Sequence, residues 1–246
     1  MLPKKEIRLH QRLQLGLIHL AVAMTLVPIN STLNRVMIKE LAISATLVAV
    51  LASLPYLFSP IQVAIGSFAD RHPLFGKHRT PYIIAGLLLC VLGVIVSPYA
   101  AFAMAKNFWG GLALGLLAFI AWGMGYNLSA VSYLSLASEL SGEKGRSRTV
   151  AVMFFMMITS IILTAIALSR MVDPYTPQAL LRAFWVVGLT ALGIGLLGIL
   201  RLEPKRDAGH AIGDIHYTWG NMLRAVLGNR QAAYFFWYLI ILLAAL

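Results

Sequence analysis

The sequence predicts an all-α, polytopic membrane protein with six transmembrane helices and the start of a seventh. Three observations predict this fold class: the composition, the length and number of the apolar segments, and the positions of the basic residues. The chain of 246 residues is 59% hydrophobic and 12% charged, whereas a soluble domain has about 25% charged residues. So few charged side chains cannot give a soluble domain a polar surface, and we expect the chain to lie in a lipid bilayer.

Six apolar segments are long enough to cross the hydrocarbon core, since a transmembrane helix needs about 20 apolar residues. These segments are 13–33, 42–65, 81–104, 109–138, 150–169 and 183–202. Another apolar segment, 231–246, is too short to span and is expected to be the start of a seventh helix in a longer protein. The predicted organisation is therefore a six-helix region (1–202), a linker (203–230) and the start of a seventh helix (231–246).

The basic residues alternate between the two sides of the predicted membrane. If the N-terminus is cytoplasmic, the inside segments carry 15 Lys and Arg residues and the outside segments carry five. The positive-inside rule then places the N-terminus and the loops 66–80, 139–149 and 203–230 in the cytoplasm. The net charge of +11 comes from these loops and forms no basic face with interleaved aromatic residues, so we expect no nucleic-acid partner.

The linker 203–230 contains apolar residues at alternating spacings of three and four. They are Ile212, Ile215, Trp219, Met222 and Val226. This spacing predicts an amphipathic helix on the inner membrane surface, and an ordinary connecting loop is the alternative.

A compact polar stretch, GSFADRHPLFGKHRTPYI at 66–83, separates the second and third predicted spans. The residues that carry its pattern are Gly66, Asp70, Arg71, Gly76, Lys77 and Arg79. They resemble the loop signature G-x-x-x-D-R-x-G-[RK]-[RK] of the major facilitator superfamily, with three more residues between Asp70 and Gly76. The resemblance implies an N-terminal half of that fold, in which the aspartate takes part in a cytoplasmic gate. A conformational latch, a rigid clasp and a plain positive-inside anchor are the alternatives for this stretch.

The form D-x-HP-L-x-G-x-x-R-T-P-Y-I resembles more narrowly the bacteriochlorophyll delivery family, of the PucC and LhaA type. Three other stretches agree with it: LNRVMIKEL (33–41), ASELSGEKGRSRTVAVMF (137–154) and MLRAVLGNRQAAYFFWYL (222–239). The resemblance implies an assembly factor for photosynthetic complexes in an inner (intracytoplasmic) or thylakoid membrane. Such a protein would handle chlorophyll or bacteriochlorophyll, or stabilise a photosystem or light-harvesting subunit, with chlorophyll-synthesis enzymes as further partners. The alternative is a small-solute transporter of the superfamily.

Few polar side chains are expected to be buried inside the predicted spans, and each of them is a candidate site. They are His19 and Asn30 in the first span, Gln62 in the second and Asn127 in the fourth. A neutral imidazole is a good metal ligand, and the family resemblance makes His19 a candidate ligand for chlorophyll magnesium. A histidine that hydrogen-bonds to a neighbouring helix is the alternative. Met153, Met156 and Met157 would suit either a pigment-binding face or ordinary core packing.

The acidic residues argue against a proton-coupled carrier formed by this chain alone. All nine acids map to loops or span ends, whereas coupled transporters commonly place an ionisable residue at membrane depth. On the inner loop 139–149, Glu139 with Arg146 and Arg148 forms a second candidate cluster, for which simple solvation is the alternative. The sequence has no nucleophile, metal-ligand or phosphate-loop pattern, so we expect neither an enzyme nor a metal site.

Glycines inside the spans predict close helix packing, because small residues let two backbones approach in lipid. The residues concerned are Gly111 and Gly115, which form a GxxxG pair, and Gly188, Gly193, Gly195 and Gly198 in the sixth span.

Overall fold

The structure is a computed structural model that describes residues 7–57, 69, 72, 74, 76–204, 228, 234 and 238. Apart from an isolated bridge between Leu74 and Lys77, the regular structure in this part of the chain is helical. The helices are α1 (Leu9–Met24), a π-helical turn (Pro28–Leu33), α2 (Asn34–Lys39), α3 (Ala45–Leu57), α4 (Thr80–Lys106), a long helix (Phe108–Met171) and α7 (Pro177–Ile199).

The long helix Phe108–Met171 consists of two helices, α5 (108–141) and α6 (143–171), joined at Gly142. Gly142 has φ 60° and ψ −179°, a backbone conformation that is essentially confined to glycine. Across this glycine, the hydroxyl of Ser141 at the end of α5 donates a hydrogen bond of 2.8 Å to the hydroxyl of Thr149 on α6. The expected loop 139–149 is therefore helical on both sides of one non-helical glycine.

The chain reverses direction at this glycine. The ring centroid of His19 lies 5.1 Å from that of Tyr133 on α5 and 5.1 Å from that of Phe154 on α6. Tyr133 and Phe154 would be about 31 Å apart on one straight helix. Helices α5 and α6 therefore form a helical hairpin.

Helices α4 and α5 pack with their backbones in close contact, through glycines on both. A Cβ added at Gly86 would lie 2.7 Å from the carbonyl oxygen of Gly125, and one added at Gly93 would lie 2.7 Å from the carbonyl oxygen of Ala118. As the contact on α4 shifts forward from Gly86 to Gly93, the contact on α5 shifts back from Gly125 to Ala118. The two helices are therefore antiparallel.

Helix α1 runs parallel to α6. The Ser160 hydroxyl donates a hydrogen bond of 2.9 Å to the Leu20 carbonyl oxygen, and Gly16 makes room for the sulfur of Met156. A shift of four residues along α1 thus matches a shift of four along α6.

Helices α3 and α7 complete the alternation of directions. Gly115 lies near Leu51, and Gly123 lies against Pro55, so α3 runs parallel to α5. Gly195 and Gly198 face α1 at Ala21 and Ile18 respectively, so α7 is antiparallel to α1. Consecutive helices α3 to α7 therefore alternate in direction, with α1 opposite to α3.

This alternation gives the bundle two distinct ends. The N-terminal end is where α1, α4 and α6 begin and where α3, α5 and α7 end, and the opposite end holds the other termini. The described basic residues at the N-terminal end are Arg8, Arg12, Lys77, Arg79, Lys144, Arg146, Arg148 and Arg201, against Arg35, Lys39, Lys106, Arg170 and Arg182 at the opposite end. The loops predicted to share one side of the membrane thus lie together, as far as they are described.

Four helices of the described chain are long and apolar enough to cross a membrane. They are Leu9–Lys39, which runs through the π-helical turn, Thr80–Lys106, Phe108–Met171 and Pro177–Ile199. A shorter apolar helix covers Ala45–Tyr56. The described part of the chain is therefore that of an all-helical membrane protein.

The predicted third span (81–104) agrees with Thr80–Lys106 to within two residues at each end. The sixth begins earlier than the expected residue 183, because Thr176 caps the helix by accepting a hydrogen bond of 3.0 Å from the Ala179 N–H, with proline at the first helical position. Residues 58–65 of the second span, most of the linker and nearly all of the seventh segment lie outside the described residues.

Five of the six glycines predicted to pack closely do so: Gly115, Gly195 and Gly198, already placed above, and Gly111 and Gly188. Gly111 packs against the backbone of Met104 on α4. Gly188 packs against Ile95 on α4, where an added Cβ would lie 3.1 Å from the nearest side-chain atom. Gly193 has no atom within 4 Å of an added Cβ, so the prediction of close packing is wrong at that position, which faces outward.

Candidate functional site

A partly buried ion pair ties the start of α4 to the end of α5 at the N-terminal end of the bundle. Arg79 immediately precedes α4, and its side chain is 7% exposed. Its Nη2 and Nε atoms each lie 3.0 Å from Oε1 of Glu139, near the end of α5. Both contacts are charge-assisted hydrogen bonds to one carboxylate oxygen, and such bonds are stronger than those between neutral groups.

A second carboxylate, that of Glu203, caps α4 from beyond the end of α7. It accepts hydrogen bonds from the backbone N–H groups of His78 (2.8 Å), Arg79 (3.1 Å) and Thr80 (2.6 Å). The first N–H groups of a helix have no partners within the helix and carry partial positive charge. Glu203 therefore satisfies groups that the helix itself leaves unpaired.

The protonation of Glu203 follows from this environment. Burial raises the pKa of the Glu203 carboxyl, but hydrogen bonds from Thr80, His78 and Arg79 outweigh burial and hold the pKa below its ordinary value of 4.5. Glu203 is therefore ionised at neutral pH. We refer to Arg79, Glu139 and Glu203 together as the clasp, because they join the start of α4 to the ends of α5 and α7.

The loop before α4 is held by backbone contacts. Leu74 and Lys77 exchange two backbone hydrogen bonds of 3.0 Å, and Gly76 between them has φ 72°, a left-handed conformation that favours glycine. The Tyr82 hydroxyl donates a hydrogen bond of 2.7 Å to the His72 carbonyl oxygen. The left-handed backbone at Gly76 thus explains why the predicted loop signature has a glycine at this position.

The predicted latch stretch is only partly within the described residues. Gly76, Lys77 and Arg79 lie at the N-terminal end of the bundle, and Arg79 is a member of the clasp. Gly66, Asp70 and Arg71 lie outside the described residues. The gating role predicted for Asp70 therefore stays a prediction.

The second predicted cluster is arranged differently from the expectation. Glu139 pairs with Arg79, whereas Arg146 and Arg148 are exposed. Arg146 lies with Glu139 at the rim of an open cavity of about 410 Å³. The two sequence clusters are thus joined through Arg79 and Glu139, because the antiparallel packing of α4 and α5 brings the end of α5 to the start of α4.

Sequence reasoning missed Glu203 as a site residue and assigned it to the linker. The sequence feature that could have identified it is an acidic residue directly after the sixth predicted span. This residue lies at the same end of the bundle as Thr80, where α4 begins. Helix N-termini attract carboxylates, but the sequence does not say which N-terminus a distant carboxylate reaches.

The polar residues predicted inside the spans differ in burial. Asn127 is buried and its Nδ2 donates a hydrogen bond of 3.1 Å to the Pro55 carbonyl oxygen, which joins α5 to α3. Asn30 is exposed, so the prediction of burial is wrong there: in the π-helical turn, its neighbours Ile29 and Leu33 face the core instead. Gln62 lies outside the described residues.

His19 is enclosed where α1 meets the α5–α6 hairpin. It is 5% exposed and lies between the rings of Tyr133 and Phe154. Its Nδ1 atom is buried and has no hydrogen-bond partner. Imidazole is a suitable donor for a macrocycle metal, so the chemistry of the residue fits such a ligand, while the aromatic walls close the approach in this arrangement.

Two of the three candidate methionines contribute to helix packing. Met153 is fully buried in the core, and Met156 covers Gly16 of α1. Core packing, the alternative to a pigment-binding face, accounts for both.

Comparison with known proteins identifies the family. The family model described as PUCC protein matches residues 32–246. Protein PucC of Cereibacter sphaeroides is 30% identical over 211 residues, covering 82% of this chain and 46% of that protein. Protein PucC of Rhodobacter capsulatus is 30% identical over 212 residues, with the same coverage of 82% and 46%.

A third relative is the bacteriochlorophyll synthase 44.5 kDa chain of Rhodobacter capsulatus, 30% identical over 200 residues that cover 80% of this chain and 45% of that protein. The chain thus matches a little under half the length of each of these relatives. The resemblance seen in four stretches of sequence is confirmed, and the chain belongs to the PUCC protein family.

Proposed function

We propose that this protein is a non-enzymatic assembly factor for photosynthetic pigment–protein complexes. It would handle or deliver chlorophyll or bacteriochlorophyll, or hold an antenna or photosystem subunit, in a photosynthetic membrane. The observation that carries the proposal is membership of the PUCC protein family, together with similarity to a chain named for bacteriochlorophyll synthase.

The surface of α6 supports a role that involves lateral contact within the membrane. Only five residues of this helix are buried: Thr149, Met153, Ser160, Thr164 and Leu168. Large apolar side chains cover its outer side, including Phe155 (71% exposed) and Leu163 (61% exposed). Such a surface suits lipid, other transmembrane helices and apolar pigments alike.

The test of the assembly role is gentle detergent extraction of the tagged protein from a pigment-making host. We expect chlorophyll-type pigment and an antenna or photosystem subunit to co-purify with it. Amounts of both no higher than with an unrelated membrane protein of similar abundance would contradict the proposal. Solute uptake by vesicles containing the protein would favour the transporter alternative.

The proposed topology is six transmembrane helices and the start of a seventh, with a cytoplasmic N-terminus. The alternating helix directions support it, as does the excess of basic residues at the N-terminal end of the bundle. Single cysteines at Lys144 and Asn107 would lie on opposite sides in a variant whose Cys90 is replaced by alanine. An impermeant thiol reagent added outside intact cells should label position 107 and not position 144, and the reverse pattern would contradict the orientation.

The latch role of Asp70 has its own test. Asp70→Asn removes the charge with little change of shape, so a gating role predicts impaired complex assembly at normal abundance of the protein. Normal assembly in that variant would leave Asp70 as an anchor or part of a rigid clasp.

A further inference from the structure

The environment of His19 contains an unsatisfied polar atom. A buried nitrogen or oxygen without a partner costs about 1–3 kcal/mol, and native proteins keep few of them. His19 keeps one at Nδ1 while the residue is 95% shielded. A leucine or phenylalanine would fill the same space on α1 without this cost, so the presence of an imidazole needs a reason.

The two aromatic walls of His19 differ in how firmly they are held. Tyr133 is 2% exposed and belongs to the central core. Phe154 meets the imidazole edge-on, at 87°, yet it is 45% exposed on its other side. The ring of Phe154 therefore lies between His19 and the outer apolar surface of α6.

Phe154 also belongs to the helix whose side chains are least confined. Its neighbours Phe155 (71% exposed) and Ile158 (53% exposed) are also largely exposed, so no other helix of the described chain covers the outer side of α6 at this point. An aromatic side chain with a free side can change rotamer without displacing the backbone. Phe154 is therefore the wall that can move, whereas Tyr133 is fixed by its surroundings.

We propose that Phe154 is a gate over His19, and that rotation of its ring admits a magnesium-containing macrocycle of the chlorophyll class from the bilayer to the imidazole. The proposal rests on the pigment-handling function proposed above. Neutral imidazole would donate a nitrogen lone pair to the metal as an axial ligand, and no covalent bond of the pigment would break.

The test compares chlorophyll a with pheophytin a, its metal-free form, on the 246-residue chain in detergent. Binding is measured from the pigment that co-elutes with the protein and from the shift of its absorption bands on axial ligation. Phe154→Ala should increase bound chlorophyll several-fold over the original chain, with no such gain for pheophytin. The gain should disappear in the double variant with His19→Phe, which keeps a ring but has no lone pair.

Phe155→Ala is the matched control, because it removes the adjacent, more exposed ring from the same helix. It should bind chlorophyll as the original chain does. A gain of equal size in Phe155→Ala, no gain in Phe154→Ala, or a gain that survives His19→Phe would each overturn the gate. Thermal unfolding of every variant shows whether the fold persists.

The outcome separates this inference from the wider function. Co-purification of pigment or a photosynthetic subunit from the host, with no effect of Phe154 or His19, would overturn the gate alone. Absence of both from the host extract would contradict the proposed function itself.

Discussion

The α4–α5 interface and helix α6 are the two extremes of packing in this bundle. At the α4–α5 interface, glycines bring the two backbones into contact, whereas α6 is held by a narrow row of five buried side chains. In lipid the hydrophobic effect does not drive one helix against another, so close packing and hydrogen bonds decide the stability. The comparison teaches that α4 and α5 form the rigid centre, while α6 offers most of its surface to its surroundings.

The largest expected effect comes from adding one methyl group to the rigid centre. A Cβ at Gly125 would lie 2.5 Å from the Cys90 nitrogen and 2.5 Å from the Gly86 carbonyl oxygen. Both contacts are with backbone, which cannot rotate away, so Gly125→Ala should lower the free energy of unfolding by about 3 kcal/mol or more. Thermal unfolding in detergent, followed by circular dichroism, measures the loss.

Gly193→Ala is the control for this substitution, since it makes the same chemical change on α7. An added Cβ there meets no atom within 4 Å, and alanine is the better helix former by about 1 kcal/mol. Its stability should stay the same or rise. A loss as large as that of Gly125→Ala would show that backbone proximity is not the cause.

An intermediate effect is expected at the clasp, which adds hydrogen bonds to the rigid centre. Glu203→Ala leaves three N–H groups at the start of α4 without their acceptor, which should cost about 2 kcal/mol. Cys90 is the chain's single cysteine and is buried, so its reaction with a thiol-specific dye on heating reports unfolding. Glu143→Ala, at an exposed acid on the same end, should change stability by less than about 0.5 kcal/mol.

The clasp also predicts a dependence on pH with a definite sign. The pKa of Glu203 in the folded protein lies below its ordinary value of 4.5, so the folded state favours the ionised carboxylate. Its contribution is complete above that ordinary value and is lost as the pH falls through the folded pKa. The stability difference between the original chain and Glu203→Gln should therefore be constant near neutral pH and shrink only below 4.5. A difference that shrinks between neutral pH and that value would contradict the assignment.

The sequence predicted the helices and their alternation better than it predicted the contacts between them. Apolar length located the helix Thr80–Lys106 to within two residues, because crossing a bilayer imposes a minimum length. Arg79 and Glu139 were both singled out, but in separate clusters. Their pairing depends on which helix ends are neighbours, and periodicity along one helix carries no information about that.

The glycines show the same limit. Gly111 and Gly188 were predicted to pack closely and do so, but Gly86, Gly93 and Gly125, which make the closest α4–α5 contacts, were not singled out. These three are not spaced as one GxxxG pair, since the contact is shared between two helices. Close approach is a property of a pair of surfaces, and the sequence displays only one surface at a time.

The smallest expected effect lies on the outer side of α6, where Ile158 is 53% exposed. A side chain that faces lipid in the folded protein also faces lipid when the helices separate, so its truncation transfers little apolar surface between environments. Ile158→Ala should therefore change the midpoint of unfolding in lipid bilayers by an amount equivalent to less than about 0.5 kcal/mol. Met153→Ala, on the same helix but at a fully buried position, should cost about 2 kcal/mol because it leaves a cavity. Equal losses from the two substitutions would show that α6 is packed on both sides, and the contrast between the rigid centre and this helix would then fail.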